Sequence, residues 1–329
     1  MPQIKRATLF SRDDRTFRFF RRSWLIALNN SDYQVKVSNR GFGLFRLLKA
    51  IASFIFSHKS LRLIFGTSEI CLYYFFSNRQ DVLIFSGLGR LLQKNGLRQK
   101  FICSYLRIFY RNQKIVALNT DDAAFLGSIF TGEIVLIDGE GFHFSASKET
   151  RDLGEPIVIA FIGRMLKSKG VDRLVEEFLL IEGNGCELHL FGDFDFSNSD
   201  SINSTWLSSK ISASKGKILH HGFIENVRDI LGSVDIFVSL SEREGLPFSV
   251  LEAIDAGCFL LLSAVPGHFP FASLAGVNLI NQNDVLGALN VLIDNPQTII
   301  QFNQKQRIID CERRFGMDAV VNQIRLKIL

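Results

Sequence analysis

The 329-residue sequence contains no C-x2-C pair; its five cysteines, Cys71, Cys103, Cys186, Cys258 and Cys311, are odd in number and widely scattered. That spacing excludes a disulfide framework or a zinc ribbon and points to reduced core thiols in a cytoplasmic protein. Long hydrophobic runs are missing as well. The longest candidate, Leu44–Phe56, is interrupted by Arg46 and Lys49 and is too short to span a bilayer. Met1–Arg6 is polar and leads only into the short apolar run Ala7–Phe10, which reads as no signal peptide. The sequence has no Walker loop, no G-x-G-x-x-G fingerprint, no G-x-S-x-G elbow, no H-E-x-x-H pair and no internal repeat. The commonest P-loop, dinucleotide, serine-hydrolase and zincin chemistries therefore have no anchor here. Tyrosine is scarce, 5 residues against 31 phenylalanines, a bias with no functional reading of its own.

Acidic residues are scarce in the first third. Residues 1–115 carry 21 Lys and Arg against 5 Asp and Glu, net +16, whereas 116–329 carry 17 against 28, net −11. With 47% hydrophobic and 22% charged residues, the chain is an ordinary folded one, long enough for two cores. The charge split points to two domains with different partners. A positive charge this concentrated suits nucleic acid or an anionic membrane. No nucleic-acid motif accompanies it. Aromatic and apolar residues do, Phe17, Phe19, Phe20 and Trp24 in one helical pattern and Phe42, Leu44, Phe45, Leu47 and Leu48 in another, which favours a peripheral membrane surface without nucleic acid.

Short apolar runs alternate with helical patterns along the chain. Ala7–Phe10 reads as the edge of a sheet, and Tyr33–Ser38, Leu61–Phe65, Val82–Phe85, Ile115–Leu118 and Ile134–Ile137 as further strands. Asp13–Leu28 and Leu44–Phe56 read as basic helices. Polar, aperiodic Phe142–Glu155 is the linker. Beyond it, Ile157–Ile162, Leu188–Phe191, Ile218–His221, Asp235–Leu240 and Phe259–Ser263 read as strands of a second parallel sheet. Ser197–Ser204 is a surface loop, and Thr298–Leu329 is helical with a break near Phe315-Gly316.

The most informative stretch is Ser241–Gly257. Gly245 and Pro247 break the preceding strand, Ser249 is placed to cap a helix, and Val250, Leu251, Ala253 and Ile254 follow at helical spacing. A strand–loop–helix junction of this kind offers free N–H groups and a favourable dipole to an anion such as phosphate. Glu244 and Glu252, with seven residues between them around Gly-Leu-Pro, resemble the Glu-x7-Glu signature of retaining glycosyltransferases, in particular family 4 with the GT-B fold. Gly163-Arg-Met-Leu-Lys-Ser-Lys-Gly170 resembles the same family's Gly-Arg-x4-Lys-Gly segment. Phe85-Ser-Gly-Leu-Gly-Arg90 resembles a Thr-Gly-Leu-Gly segment of its polysaccharide-assembly members.

The resemblance implies two Rossmann-like parallel-sheet domains facing a cleft. Residues 1–145 would be the acceptor and membrane-facing domain, 146–310 the nucleotide-sugar domain, and 311–329 a C-terminal helix returning to the first. It implies transfer with net retention from a UDP- or GDP-linked sugar, without metal or cofactor. The donor diphosphate falls to Arg164, Lys169 and the backbone of Gly163, Gly245, Leu246, Pro247, Phe248 and Ser249. Glu244 takes the donor sugar, Glu252 the ribose hydroxyls, and the turn at Phe223 the base. In the place of the family's N-domain histidine stand Ser86 and Gly87, and the glycine-rich donor loop is replaced by Ser11-Arg-Asp-Asp-Arg15, so Asp13 and Asp14 join Ser86 and Gly87 on the acceptor side. The acceptor expected is a lipid-linked glycan at the inner face of the cytoplasmic membrane, as in capsule or O-antigen assembly. The rival readings are a nucleotide-sugar-binding partner without catalysis and a nucleic-acid binder.

Overall fold

The computed structural model describes residues 5–11, 21–39, 44–73, 76–88, 97–109, 113–145, 156–183 and 185–329. They form two compact units, Met1–His143 with Glu312–Leu329, and Phe144–Cys311. The sequence reading put the boundary after residue 145; backbone pairing sets it slightly earlier. Phe142 exchanges hydrogen bonds with Phe315 and Met317, both at 2.9 Å, whereas Ser145 donates its N–H to Asp255 at 2.7 Å.

In the first unit, strands β1 (Lys5–Ser11), β2 (Tyr33–Asn39), β3 (Leu61–Phe65), β4 (Val82–Phe85), β5 (Lys114–Ala117) and β6 (Ile134–Leu136) form one parallel sheet in the order β2-β1-β3-β4-β5-β6. Helices α1 (Arg22–Asn29), α2 (Leu44–Phe56), α3 (Thr67–Tyr73), α4 (Leu97–Phe109) and α5 (Thr120–Ile129) connect them. Both sheet faces are buried, which is why these strands read as continuous apolar runs. Trp24, Leu28, Val320, Val321 and Ile324 cover one face, and Phe54, Ile70, Leu106 and Leu126 the other.

The expected edge position of Ala7–Phe10 is wrong. β1 lies between β2 and β3, and β2 is the edge, its Gln34 and Lys36 alternating outward. An uninterrupted apolar strand belongs inside a sheet, while polar alternation and lysine mark an edge. Of the expected helix Asp13–Leu28, the described helical part begins at Arg22; residues 12–20, Asp13 and Asp14 included, lie outside the described residues.

The second unit repeats the plan with β7 (Ile157–Ile162), β8 (Cys186–Phe191), β9 (Ile218–His220), β10 (Ile236–Ser239), β11 (Phe259–Ser263) and β12 (Val277–Ile280). Its order is β12-β11-β10-β7-β8-β9. Helices α6 (Val171–Phe178), α7 (Ser204–Ala213), α8 (Val227–Leu231), α9 (Phe248–Asp255), α10 (Val285–Asp294), α11 (Gln297–Ile300) and α12 (Gln304–Phe315) pack around it. The final helix, α13 (Met317–Lys327), begins after Gly316 and belongs to the first unit. Strand order reverses between β7 and β10, so the crevice outside their carboxyl ends is the place where such a sheet binds ligands. No disulfide joins the five cysteines; Cys186, Cys258 and Cys311 are buried, while Cys71 and Cys103 are only partly so.

Candidate functional site

Of the residues singled out by sequence, Gly163, Arg164, Lys169, Glu244 to Ser249 and Glu252 lie on the loops and helix at that reversal, while Phe223 follows β9. Gly163 and Arg164 follow β7, and a short 3-10 turn, Lys167–Lys169, leads into α6. β10 ends in the loop 241–247 that leads into α9. The two loops are tied directly: Glu242 N–H donates to the Ser168 carbonyl at 2.9 Å. Gly170 sits so close to Leu240 that a Cβ there would lie 2.6 Å from the Leu240 carbonyl oxygen. Its φ of +72° also favours glycine. Gly192 approaches Gly163 in the same way, its φ at +134°.

This packing brings Lys169 against Glu244. The ammonium contacts Oε1, and the Ser241 hydroxyl donates to the same oxygen at 2.6 Å. Both side chains are half-buried, at 25% and 15% exposure. The Ser241 carbonyl is held from behind by the Ser263 hydroxyl at 2.7 Å and by Gln282 at 3.0 Å. Gly267 closes the other side. A Cβ at this position would lie 2.5 Å from the Glu244 carbonyl oxygen. Sequence reading missed Gly267 as a support; only its place in Val265-Pro-Gly-His268 hinted at it. His268 is fully buried, Nδ1 2.8 Å from the Ser263 carbonyl, and burial lowers its pKa. It is a neutral scaffold residue behind Glu244.

Ser249 does not cap the helix. Pro247 occupies the N-cap position with φ −76° and ψ 124°, no side chain caps the first turn, and α9 begins at Phe248. Proline fixes an extended entry two residues earlier than a serine cap would. The consequence for an anion is favourable, because the cap residue, a proline, has no side-chain oxygen to offer the first N–H groups.

Glu252 lies one turn into α9, where burial pushes its carboxyl up to about 7; Arg228 opposes the shift and Asp255 adds to it. Arg228, on α8, was not anticipated; its Nη2 lies 3.5 Å from Asp255. Arg164 is more exposed, at 58%, and donates to Asp195 at 3.1 Å. Thus Lys169 and Glu244 touch, while the Arg164 guanidinium has a separate carboxylate partner. The Phe223 ring is 71% exposed, and its N–H donates to Asp193 at 3.1 Å. Among the described residues, no group of three His, Cys, Asp or Glu side chains is arranged to hold a metal ion.

In the first unit, Ser86 and Gly87 follow β4. Gly87 has φ +135° with open space where a Cβ would stand. Arg21 donates to the Ser86 hydroxyl at 3.1 Å and contacts Glu140, both charged groups being buried. Burial raises the Glu140 pKa while Arg21 holds it down. No local pattern signals this pairing, since its members lie 119 positions apart.

Residues 156–294 match the family model described as glycosyl transferases group 1. No curated protein matches the chain. Among solved structures, sucrose-phosphate synthase from Thermosynechococcus elongatus superposes with TM-score 0.77 at 15% identity, covering 97% of each chain. HepE from Anabaena in complex with UDP gives 0.72 at 13%, covering 97% of this chain and 98% of that one. WaaG, a glycosyltransferase involved in lipopolysaccharide biosynthesis, gives 0.70 at 12%, covering 98% and 99%. The two parallel six-stranded sheets with their surrounding helices are the GT-B fold.

Proposed function

We propose that the chain is a retaining family 4 glycosyltransferase that moves a sugar from a nucleotide-sugar to a lipid-linked glycan. The observation that carries this reading is the Lys169–Glu244 contact in the β7/β10 crevice beside the uncapped start of α9. Lys169 and Arg164 supply the cations for a diphosphate, and the first N–H groups of α9 supply donors. Charge developing on the leaving diphosphate is offset there, without need of a metal. Glu244 is freed for the donor sugar's hydroxyls when the diphosphate takes over Lys169. Glu252, once ionised, accepts from the ribose diol, and the exposed Phe223 ring offers the base a face. HepE structures hold UDP and UDP-glucose, which supports a uridine donor.

The acceptor is assigned to the carboxyl end of the first sheet, at Ser86 and Gly87. WaaG and the lipopolysaccharide outer core galactosyltransferase WaaB share the fold, which supports polysaccharide assembly as the setting. Among the described residues no helix is long and apolar enough to cross a membrane, and the basic first unit is read as the part that meets the inner membrane face.

The test is turnover of UDP-sugars and GDP-sugars, with the product's anomeric configuration read by NMR. Retention in the wild type, with turnover abolished in a folded Glu244→Ala variant, is the expected result. Near-wild-type turnover in that variant overturns the assignment. Donor binding without transfer or hydrolysis would favour the non-catalytic binding partner.

A further inference from the structure

A pocket of about 450 Å³ lies in the first unit between the amino-terminal halves of β1 and β2 and the last turn of α2. It is at the opposite end of the sheet from Ser86 and Gly87. Arg6, Lys36 and Lys59 line it, all exposed, and no carboxylate does. Its polar wall is hydroxyl. Thr8 Oγ1 and Ser60 Oγ lie 3.0 Å apart, and the Ser53 hydroxyl is buried without a hydrogen-bond partner among the described residues. Ser60 Oγ donates to the Ser57 carbonyl at 2.7 Å and Ser57 Oγ to the Phe54 carbonyl at 2.8 Å, so Ser53 is the hydroxyl left to donate. Three cations around that hydroxyl, without a carboxylate, match a phosphate group.

The rim says which phosphate. Phe56 lines the pocket with 82% of its surface exposed, and Ile55 and Leu48 on the same helix are 44% and 57% exposed. Positions 48, 55 and 56 fall on one side of α2, away from Ala50 and Phe54, which are buried in the core. Exposed Arg46 and Lys49 flank that stripe. A free phosphate would leave the stripe in water; a phospholipid places its phosphate beside its own apolar chains.

We propose that this pocket binds the phosphate of an anionic phospholipid headgroup while Leu48, Ile55 and Phe56 enter the membrane interface. Lys36 and Lys59 grip the phosphate oxygens, Arg6 adds a third cation, and Ser53 donates its unpaired hydroxyl. The edge strand β2 is thereby covered by lipid headgroups. The proposal rests on the peripheral-membrane part of the function above and adds a defined headgroup site, remote from the residues assigned to transfer.

Vesicle co-sedimentation of the full chain tests it, using phosphatidylcholine with and without phosphatidylglycerol. Each lysine near an anionic surface is worth about fivefold in binding, and losing the enclosed site adds to that. Lys36→Ala/Lys59→Ala should therefore weaken binding to phosphatidylglycerol vesicles by more than about 25-fold. Arg46→Ala/Lys49→Ala removes the same charge outside the pocket and should cost less. All four side chains are exposed, so melting temperatures should match the wild type. Equal losses in the two variants overturn the pocket but leave membrane binding standing. No preference of the wild type for phosphatidylglycerol overturns both. Protection of the wild type by glycerol phosphate without any vesicle binding shows a soluble phosphate ester instead of a lipid, and also overturns the proposal.

Discussion

Glu252 is the residue whose protonation the site leaves most open. Its carboxyl, raised by burial to about 7, is stabilising in its neutral form and costs stability once ionised. Stability from this group is therefore full below about pH 4.5, the unshifted value, and is lost as pH rises towards 7. Glu252→Gln should flatten the decline in Tm across that window; an unchanged Tm–pH curve would show the shift is absent. Binding runs the other way, since a ribose diol is best met by the ionised acceptor. UDP affinity should fall as pH drops from about 7 to 6 in the wild type and stay flat in Glu252→Gln, as titration calorimetry would show. Gly267 is the second residue with a sharp consequence. A methyl at 2.5 Å from the Glu244 carbonyl forces the loop to move, so Gly267→Ala should destabilise by about 1–3 kcal/mol and reduce turnover through Glu244's position. Wild-type kinetics in that variant would show the contact is dispensable. Glu244, Lys169 and Glu252 were legible as a motif because they sit in unbroken strings. The Lys169–Glu244 contact, Gly267 and Arg228 were not, because folding alone brings them near.

Elements with a strong apolar signal were legible to the residue: Ile157–Ile162, Leu61–Phe65, Phe259–Ser263 and α2. Among the elements that passed unseen are β12 and α7. β12 carries Asn278, and only its last residue is fully buried. Ser-rich α7 has a weak stripe and is held by its Asn203 cap, which accepts from the Thr205 and Trp206 N–H groups, and by Leu207 in the core. Tertiary packing, not propensity, makes both. A buried ion pair, equally silent in sequence, ties three elements of the first unit. Arg62 on β3 donates to Asp81 at 2.7 and 2.8 Å, to the Phe54 carbonyl of α2 at 3.2 Å, and stacks its guanidinium on the Phe54 ring. Arg62→Ala strands the carboxylate and should cost about 3–5 kcal/mol in urea unfolding, whereas Arg62→Met/Asp81→Leu should be far milder. Equal losses would mean that packing, not charge, carries the pair.

At the scale of the whole chain, the sequence showed two α/β units through strand rhythm and the +16 against −11 charge split. Strand order was beyond it, because parallel neighbours are chosen by crossover geometry and not by local pattern. The placing of α13 follows from Val320, Val321 and Ile324, which complete the core of the first unit. Removing 317–329 should lower the melting transition of that unit while leaving the nucleotide-dependent transition of the other in place. A single transition lost altogether would show that the units fold only together.

Thermal-shift titration with UDP, GDP and ADP on the wild type and Arg164→Ala decides whether a nucleotide diphosphate is held at the β7/β10 crevice. A ligand at a hundred times its Kd adds about 2.7 kcal/mol, and losing one charge-assisted contact should remove about 1.5–3 kcal/mol of binding. Selective stabilisation by one nucleotide, UDP by this account, that is sharply reduced in Arg164→Ala is the expected result. No shift with any of the three in the wild type, or the same shift in Arg164→Ala, would contradict it.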